Sequence, residues 1–514
     1  MSGDGRANAE LLAREGLATV CETPEALGGA VAGLADPARR AELAARLRAR
    51  LATADLGADV AALVAPAPRG TPQPGPRLRA QDALFLHAAT PAVPQQVGTR
   101  LLIDDHADPA DPTVAADWRR HVAELIATRA PHIELLTHRL APARAGRARH
   151  WVVDPRPDPE LHLRPDTVSV GPGGDHPDWD DALTAFFADP VDPVTTGWQV
   201  LVAREVTGGG IGVLAKVHHS LGDGLAVTDA LIRLFTDEEA GSPAIRDASG
   251  PPATGVRARA RRAATVVRGI AGLAGAGTAG RSPLTGTVAG PAHRRIGVHL
   301  DGARVRAAAR AHGVGTTVLV LAVVADLLHR HLDAHGGAPD RVRTMVPLTT
   351  RTSPGVRSRS VGNRTAAVSI DLPTGAMPAH ERVRRVDAAL AAGAAGGQPE
   401  GAAAVLSVLG LLPGRVQQVL VRQVYGHRFF HLLASVMPGA RRLLHMRGAL
   451  IREVYPVLPL ADGVGRAVGA LNWGAGTNLG LTLDAGIVRD IRGIPDGVEA
   501  SLRDMSRGRA AGSG

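Results

Sequence analysis

The stretch Lys216-Val217-His218-His219-Ser220-Leu221-Gly222-Asp223-Gly224 decides how this chain is interpreted. An apolar run typical of a buried strand precedes it, and the apolar periodicity of residues 225–235 predicts an amphipathic helix after it. Consecutive side chains of a strand point to opposite faces, so at most one of His218 and His219 can face a given cavity. Because the pKa of histidine lies near neutral pH, that residue is a candidate general base, and the other is expected to be structural.

Asp223 and Gly224 lie where a tight turn leads into the predicted helix. The Asp223 carboxylate can orient this loop through backbone and charge contacts, so we expect a structural role for it. Glycine permits either a positive φ or the close approach of another segment, so we expect Gly224 to act through the loop backbone.

Three other interpretations of the same stretch remain open. His218, His219 and Asp223 could bind a metal, but neighbouring strand residues diverge and rarely share one ion, so we expect no metal. Ser220 could be the nucleophile of a serine hydrolase, but no Gly-x-Ser-x-Gly elbow surrounds it. The two histidines could also be core residues without a chemical role.

The composition is that of a folded protein with large cores, since 45% of the 514 residues are hydrophobic and 21% are charged. The longest apolar runs, residues 318–324 and 405–412, are shorter than the ~18 residues that cross a bilayer. The N-terminal residues have no apolar core segment, so no secretory signal is expected. The only cysteine, Cys21, cannot form an internal disulfide, which favours a reducing cytoplasm.

The basic charge does not predict nucleic-acid binding. The formal net charge is +9, but aromatic residues make up only 3% of the chain, too few for base-stacking platforms. No basic motif of a DNA-binding class is present either. The dominance of arginine over lysine is more simply explained by a GC-rich genome. Anionic membrane surfaces and phosphorylated substrates remain possible partners.

Composition shifts divide the chain into five segments. Residues 1–76 are expected to form a helical N-terminal extension that ends in a proline-rich linker, with Asp36-Pro37 as the start of one helix. A first globular block at 77–237 contains the two histidines. A crossover at 238–292 leads to a second block at 293–507, and residues 508–514 are expected to be a disordered tail.

Two segments have competing interpretations. The arginines between Arg257 and Arg268 alternate with valines and could form a surface helix on anionic lipid, although a solvated crossover is the simpler interpretation. Thr207-Gly208-Gly209-Gly210 could bind phosphate, but it joins two strand-like runs, residues 198–204 and 211–217, without a helix after it. A hairpin turn is therefore favoured.

Several motifs resemble those of one enzyme family. The stretch at 218–224 matches the His-His-x-x-x-Asp-Gly motif of the coenzyme A-dependent acyltransferase superfamily, which includes chloramphenicol acetyltransferase and peptide-synthetase condensation domains. Further segments, in the right order, resemble motifs of the bacterial wax ester synthase/diacylglycerol acyltransferase family. These segments are Gln81-Asp82-Ala83-Leu84-Phe85-Leu86, Trp198, Ser282-Pro283-Leu284-Thr285-Gly286, Val346-Pro347-Leu348 with Gly362-Asn363-Arg364, and the run from Tyr455 to Gly463.

The chain also departs from that family's pattern at three places. Thr316-Thr317-Val318-Leu319 replaces an Asn-Asp pair, and Thr196-Gly197-Trp198-Gln199 replaces Pro-Leu-Trp-Glu. Ser435-Val436-Met437-Pro438-Gly439-Ala440 replaces Ser-Asn-Val-Pro-Gly-Pro. We expect these departures to affect the choice of substrate and, to a lesser degree, the catalytic efficiency.

The resemblance implies an α/β fold of two chloramphenicol acetyltransferase-like lobes, each a mixed sheet flanked by helices, with an extra helical N-terminal arm. It implies that His219 is the general base, that His218 and Asp223 are structural, and that Gly224 shapes the loop. Trp198 and Asn363 are expected to bind substrate. A long-chain acyl group is expected to pack against the apolar residues 318–328 and 402–412, although these could equally be ordinary core helices.

The implied reaction transfers a long-chain acyl group from acyl-coenzyme A, a co-substrate and not a bound cofactor, to an alcohol such as diacylglycerol or a fatty alcohol. Expected partners are these substrates and, peripherally, an anionic membrane or lipid-droplet surface, in a cytoplasmic protein that visits the inner membrane or droplets. Two alternatives remain: a tailoring or condensation-type acyltransferase with a carrier-bound donor, and a catalytically weak lipid-binding relative.

Overall fold

A computed structural model describes residues 23, 36–39, 41, 72–105, 108, 111, 113–143, 149–171, 176–238, 256–280, 282–349, 362–363, 365–440 and 442–507. The chain separates into two units, Met1–Arg69 and Gly70–Gly514. In the first unit, the Asp36 carboxylate accepts a hydrogen bond from the Ala38 amide at 2.9 Å, which confirms the predicted helix start. The rest of the predicted helical arm and the tail at 508–514 lie outside the described residues.

The strands of the second unit are numbered in chain order: β1 Gln73–Arg77, β2 Gln96–Ile103, β3 His138–Leu140, β4 His150–Val153, β5 Val168–Val170, β6 Trp198–Glu205, β7 Ile211–His218, β8 Arg294–Asp301, β9 Arg341–Thr349, β10 Thr365–Pro373, β11 Leu432–Met437, β12 His445–Met446, β13 Ala449–Val457, β14 Arg466–Trp473 and β15 Gly476–Leu483.

The helices are α1 Ala80–Ala88, α2 Thr113–Arg129, α3 Pro159–His162, α4 Trp179–Ala188, α5 Gly224–Phe235, α6 Val256–Ala276, α7 Gly302–Ala311, α8 Thr316–Asp333, α9 Ala379–Ala395, α10 Gln398–Leu409, α11 Gly414–Val424 and α12 Ile494–Arg507. Short 3-10 turns occur at Ala130–His132, Glu134–Thr137 and Ile491–Gly493.

Two six-stranded sheets form the frames of two lobes, as predicted for the α/β fold. The sheet of the first lobe has the order β12-β13-β2-β7-β6-β5, and the sheet of the second has the order β10-β9-β11-β14-β15-β8. Both are mixed, since β5 runs parallel to β6 and β11 runs parallel to β14 while most other pairs are antiparallel. A third, three-stranded sheet has the order β1-β4-β3.

The chain does not divide between the two sheets at a single point. β13, from the C-terminal part of the sequence, pairs antiparallel with β2, so that Val457 lies opposite Gly98 and Ile451 opposite Ile103. The second block predicted at 293–507 is therefore not confined to the second lobe, because its strands β12 and β13 belong to the sheet of the first lobe.

The predicted linkers contain regular structure. Gln73–Arg77, expected in the proline-rich linker, form β1, and prolines are tolerated there because β1 is an edge strand. The predicted crossover contains the 21-residue helix α6. The glycine cluster at 207–210 is a hairpin turn between β6 and β7, as predicted, with Gly209 at φ 71°.

The apolar residues 318–328 form an ordinary core helix. Every residue of this stretch is buried, and its apolar residues belong to a cluster that includes residues of β8, β9, β14 and β15. This segment of α8 therefore offers no surface to an acyl chain, and the expectation of an acyl-binding face there is wrong. In the second expected segment, residues 402–412, Val408 and Leu411 are exposed, so these two side chains line no buried acyl site and the expectation is wrong for them too. Among the described residues, no individual helix combines the length and apolar composition of a bilayer crossing, and one pair bent by 98°, α7 with α8, does so only when both are counted together.

Candidate active site

His218 is the last residue of β7, and its ring is buried inside the first lobe. Its Nδ1 lies 3.2 Å from the Ser220 backbone nitrogen and 2.8 Å from Ser220 Oγ. Because a backbone N–H can only donate, Nδ1 is the acceptor, and the ring proton is on Nε2. Burial lowers the pKa of His218 to about 3, so the ring is neutral at physiological pH.

His219 lies one residue further on, and its ring contacts the second half of the chain. Its Nδ1 is 3.1 Å from Asn363 Oδ1. The Asn363 amide nitrogen donates to Asp82 Oδ1 at 3.1 Å and to the His219 carbonyl at 2.8 Å, and both can only accept. This fixes the amide orientation, so Oδ1 accepts the proton of His219 Nδ1 and leaves Nε2 unprotonated. His219 thus has the tautomer that a base needs. Asn363 is only 1% exposed and positions this ring, which corrects its expected role in substrate binding.

Asp82 holds Asn363 in place from α1. Its Oδ1 accepts from the Asn363 backbone nitrogen at 2.6 Å as well as from the side chain. Burial raises the pKa of Asp82, while the hydrogen bonds from Asn363 lower it. Sequence reasoning quoted Asp82 inside a motif but gave it no role, and missed that it connects α1 to the histidine.

Gly362 allows this arrangement through its backbone. Its φ is 97°, and a Cβ at this position would lie 2.9 Å from both carboxylate oxygens of Asp82. Its amide donates to the Leu221 carbonyl at 2.7 Å, which joins the histidine turn to the segment before β10. A side chain at residue 362 would therefore disturb both the backbone and the Asp82–Asn363 contact.

Phe85, also on α1, stacks on the His219 ring. The ring centroids are 3.6 Å apart with an interplanar angle of 7°, and Tyr425 meets Phe85 edge-on at 6.1 Å. Burial lowers the pKa of His219, and smaller effects raise it: a hydrogen bond to its own backbone, the charge of Asp223, and the hydrogen bonds to Asn363 and to the Gly222 backbone. Phe85 is the second residue that sequence reasoning missed, although its motif was quoted.

Asp223 and Gly224 have the structural placement that was expected of them. The Asp223 carboxylate accepts from the Ala226 amide at 3.0 Å and is the N-cap of α5. Gly224 begins α5 without a positive φ. A Cβ there would lie 2.8 Å from Met437 Sδ, so Gly224 is a place of close approach and not of unusual backbone conformation.

Trp198 does not face the site, which corrects its expected role in substrate binding. Only 1% of the residue is exposed, and its indole nitrogen donates to the Leu136 carbonyl at 2.9 Å. Its ring stacks on His162 with centroids 3.8 Å apart. The side chain points into the core of the first lobe, where the structure gives it a packing role.

The rival interpretations gain no geometric support. Ser220 is completely buried, and its hydroxyl donates to His218, so it is not presented to a substrate. Within the described part of the chain, no group of three or more His, Cys, Asp or Glu residues could hold a metal ion.

A narrow apolar cavity lies beside α5 and is lined by strands of both lobes. Its volume is about 30 Å³. It is lined by residues of α5, β2, β13 and β14 and by Met437, with Gly224 at one end. This is the space of about one water molecule, so the cavity holds no acyl chain in this conformation.

The two mixed sheets and a His-His-x-x-x-Asp-Gly turn with one poised histidine define an acyltransferase of the two-lobed class that includes chloramphenicol acetyltransferase. The sequence model of the wax ester synthase/diacylglycerol acyltransferase catalytic domain matches residues 78–391, and that of the WS/DGAT C-terminal domain matches residues 361–506. The chain belongs to the wax ester synthase/diacylglycerol acyltransferase family and is an acyltransferase.

Known proteins agree with this assignment. A probable diacylglycerol O-acyltransferase of Mycobacterium tuberculosis is 24% identical over 386 residues, which cover 71% of this chain and 82% of the relative. The solved wax ester synthase/diacylglycerol acyltransferase from Marinobacter aquaeolei VT8 has the same fold, with a TM-score of 0.60 and 20% identity over 84% of this chain and 98% of that one. The first condensation domain of the CDA synthetase matches with a TM-score of 0.54 and 20% identity, over 86% and 97%.

Proposed function

We propose that the protein transfers a long-chain acyl group from acyl-coenzyme A to the hydroxyl of a lipid alcohol, either diacylglycerol or a fatty alcohol. The products are triacylglycerol or a wax ester, with free coenzyme A. The family description and the names of the relatives support these substrate classes.

In the proposed mechanism, the alcohol attacks the thioester directly. His219 Nε2 takes the hydroxyl proton as the alcohol oxygen forms a bond to the thioester carbonyl carbon. The tetrahedral intermediate then expels the coenzyme A sulfur, the C–S bond breaks, and the proton on Nε2 passes to the thiolate. Ser220 takes no part as a nucleophile because its hydroxyl is buried against His218.

The contact of His219 Nδ1 with the Asn363 side-chain oxygen is the observation on which this mechanism rests, because it assigns the ring proton to Nδ1 and leaves Nε2 unprotonated. The contact with Asn363 holds the proton on Nδ1, and the Phe85 ring fixes the plane of the imidazole. The amides of Gly224 and Leu225, at the start of α5, are the donors that we propose for the oxyanion, since the initial N–H groups of a helix have no partner inside it and the next amide, that of Ala226, already donates to Asp223.

We further propose that the enzyme works from the cytoplasm at the surface of the inner membrane or of lipid droplets. Diacylglycerols and fatty alcohols partition into lipid, so an enzyme that acts on them must meet them at an interface.

The test compares the wild type with His219→Ala, using palmitoyl-coenzyme A and either hexadecanol or dioleoylglycerol. Removing a general base lowers kcat by about 10³-fold. His299→Ala is the matched control, because His299 Nδ1 also contacts an asparagine oxygen, 2.8 Å away on Asn478, and it should retain wild-type turnover. Equal turnover of wild type and His219→Ala would overturn the role of His219. Product only from acyl-carrier thioesters would overturn acyl-coenzyme A as the donor.

A further inference from the structure

An unusual concentration of exposed apolar side chains covers α10, α11 and the short turn that joins them, together with the neighbouring α6. Of the eleven large apolar residues that are exposed in the described part of the chain, nine belong to this region. We call it the hairpin surface; its members are Val267, Ile270, Val405, Val408, Leu411, Leu412, Val416, Val419 and Val424. Leu411, at the turn between α10 and α11, is 85% exposed, and Val408 is 63% exposed. Such clustering marks an interaction site, whereas single exposed apolar residues do not.

Close packing fixes α6 to the hairpin. A Cβ on Gly269 of α6 would lie 1.9 Å from the Gly397 carbonyl oxygen, and a Cβ on Gly401 of α10 would lie 2.5 Å from the Gly269 carbonyl carbon. The two helices therefore meet backbone to backbone. Val267 and Ile270 are thus exposed on a helix that is held firmly against α10.

Taken together, the three helices that carry the hairpin surface are basic in sequence. α6 and α11 together contain seven arginines and no acidic residue, and Glu400 is the only acidic residue of α10. Arg261, Arg268 and Arg415 are exposed. Apolar side chains beside arginines, without carboxylates, complement a surface of anionic headgroups over hydrocarbon. A protein partner of ordinary composition would offer no such uniform match.

The hairpin surface is separated from the catalytic histidine by one helix. On one side, Leu84 and Ala88 of α1 pack with Val421 of α11, and Leu406 of α10 packs against the same cluster. On the other side, Phe85 of α1 stacks on His219. A lipid alcohol at the hairpin surface would therefore begin close to the base.

From this placement we propose that the hairpin surface docks the enzyme on a membrane that contains anionic phospholipid. The proposal rests on the proposed function, since it gives the lipid alcohol a short path to His219. The apolar side chains enter the acyl layer, and the arginines bind the headgroup phosphates.

The test is sedimentation with vesicles of phosphatidylcholine alone or mixed equally with phosphatidylglycerol. Val408→Asp/Leu411→Asp should lower the partition coefficient on mixed vesicles by at least about tenfold, because two carboxylates replace inserted side chains. Leu161→Asp/Leu443→Asp is the matched control, since both leucines are exposed elsewhere, and should bind like the wild type. Arg268→Gln and Arg415→Gln should each lower binding about fivefold on mixed vesicles and leave binding to phosphatidylcholine unchanged.

Activity separates this proposal from the proposed function. Val408→Asp/Leu411→Asp should turn over palmitoyl-coenzyme A and the soluble alcohol hexanol at the wild-type rate without vesicles, whereas His219→Ala should bind vesicles normally and be inactive. Equal vesicle binding by wild type and Val408→Asp/Leu411→Asp would overturn the docking surface. It would then be assigned to a second copy of the chain if the substitutions changed the sedimenting mass.

Discussion

His218 and His219 are consecutive residues with the same side chain, yet their rings hold the proton on different nitrogens. The His218 ring lies inside the first lobe, where a backbone N–H donates to its Nδ1. The His219 ring lies under Phe85, where the Asn363 oxygen accepts from its Nδ1. The chemistry of each ring is therefore set by whether its Nδ1 meets a donor or an acceptor, and only the second case leaves Nε2 free to take a proton.

Asn363→Leu should have the largest effect on the difference between the two histidine rings. It removes the side-chain oxygen that accepts the proton of His219 Nδ1. We expect kcat to fall about 100-fold, because the ring can rotate and protonate on Nε2, while the KM for acyl-coenzyme A stays nearly constant. Asn478→Leu removes the corresponding oxygen from His299 and is the control. A loss shared equally by both variants would show that the Asn363 contact supports folding only.

Phe85→Leu should have a smaller effect, since it removes a stack and leaves the hydrogen bond. Aromatic stacking is worth about 1 kcal/mol, so kcat should fall about fivefold. Less burial also lets the pKa of His219 rise toward its ordinary value, and because the base must be neutral, the acidic limb of the kcat/KM profile should move to higher pH. Phe429→Leu, in a neighbouring cluster, should leave the profile unchanged. An unshifted profile for Phe85→Leu would mean that the stack does not bury the imidazole.

The smallest expected effect is that of His218 on the pH dependence of the free energy of unfolding. The pKa of His218 is about 3 in the folded state, against about 6.5 when unfolded. Below the unfolded value only the unfolded chain takes up the proton, so the stabilising contribution is complete above about pH 6.5 and is lost as the pH falls toward 3. The contribution to the slope is at most about 1.4 kcal/mol per pH unit.

His218→Gln should therefore flatten the decline in the free energy of unfolding between about pH 7 and about pH 5, as measured in urea. Other buried histidines such as His162 and His293, whose pKa values burial lowers to about 4, titrate in both proteins and cancel in the difference. Equal slopes for wild type and variant would contradict a buried, neutral His218.

Local patterns in the sequence predicted the elements around the site well. The strand before His218 and the helix after Gly224 follow from apolar periodicity, and both occur as β7 and α5. Asp223 at the helix start follows from its capping chemistry. These features depend on residues a few positions apart, which is the distance over which periodicity and capping act.

The partners of His219 could not be predicted in the same way. Asn363 is 144 positions from His219, and Asp82 is 281 positions from Asn363, so only the folded chain brings them together. For Trp198 the error is of the opposite kind, because the sequence predicted a contact that the folded chain does not make. A motif suggested a substrate contact, but the position of this residue on β6 directs the indole into the core.

The pairing of β13 with β2 has a consequence for synthesis on the ribosome. The register sets Ile103 opposite Ile451, so β2 emerges long before the strand that covers its edge. Until residue 457 has left the exit tunnel, the nascent first lobe presents an unpaired, largely apolar strand edge. The sheet of the first lobe is thus begun early and completed late. The pairing of β13 with β2 joins residues far apart in the sequence, and contacts of this kind slow folding in general. The region that matches the catalytic-domain model, residues 78–391, ends before β13. It therefore contains both histidines but lacks the strand that pairs with β2 in their sheet.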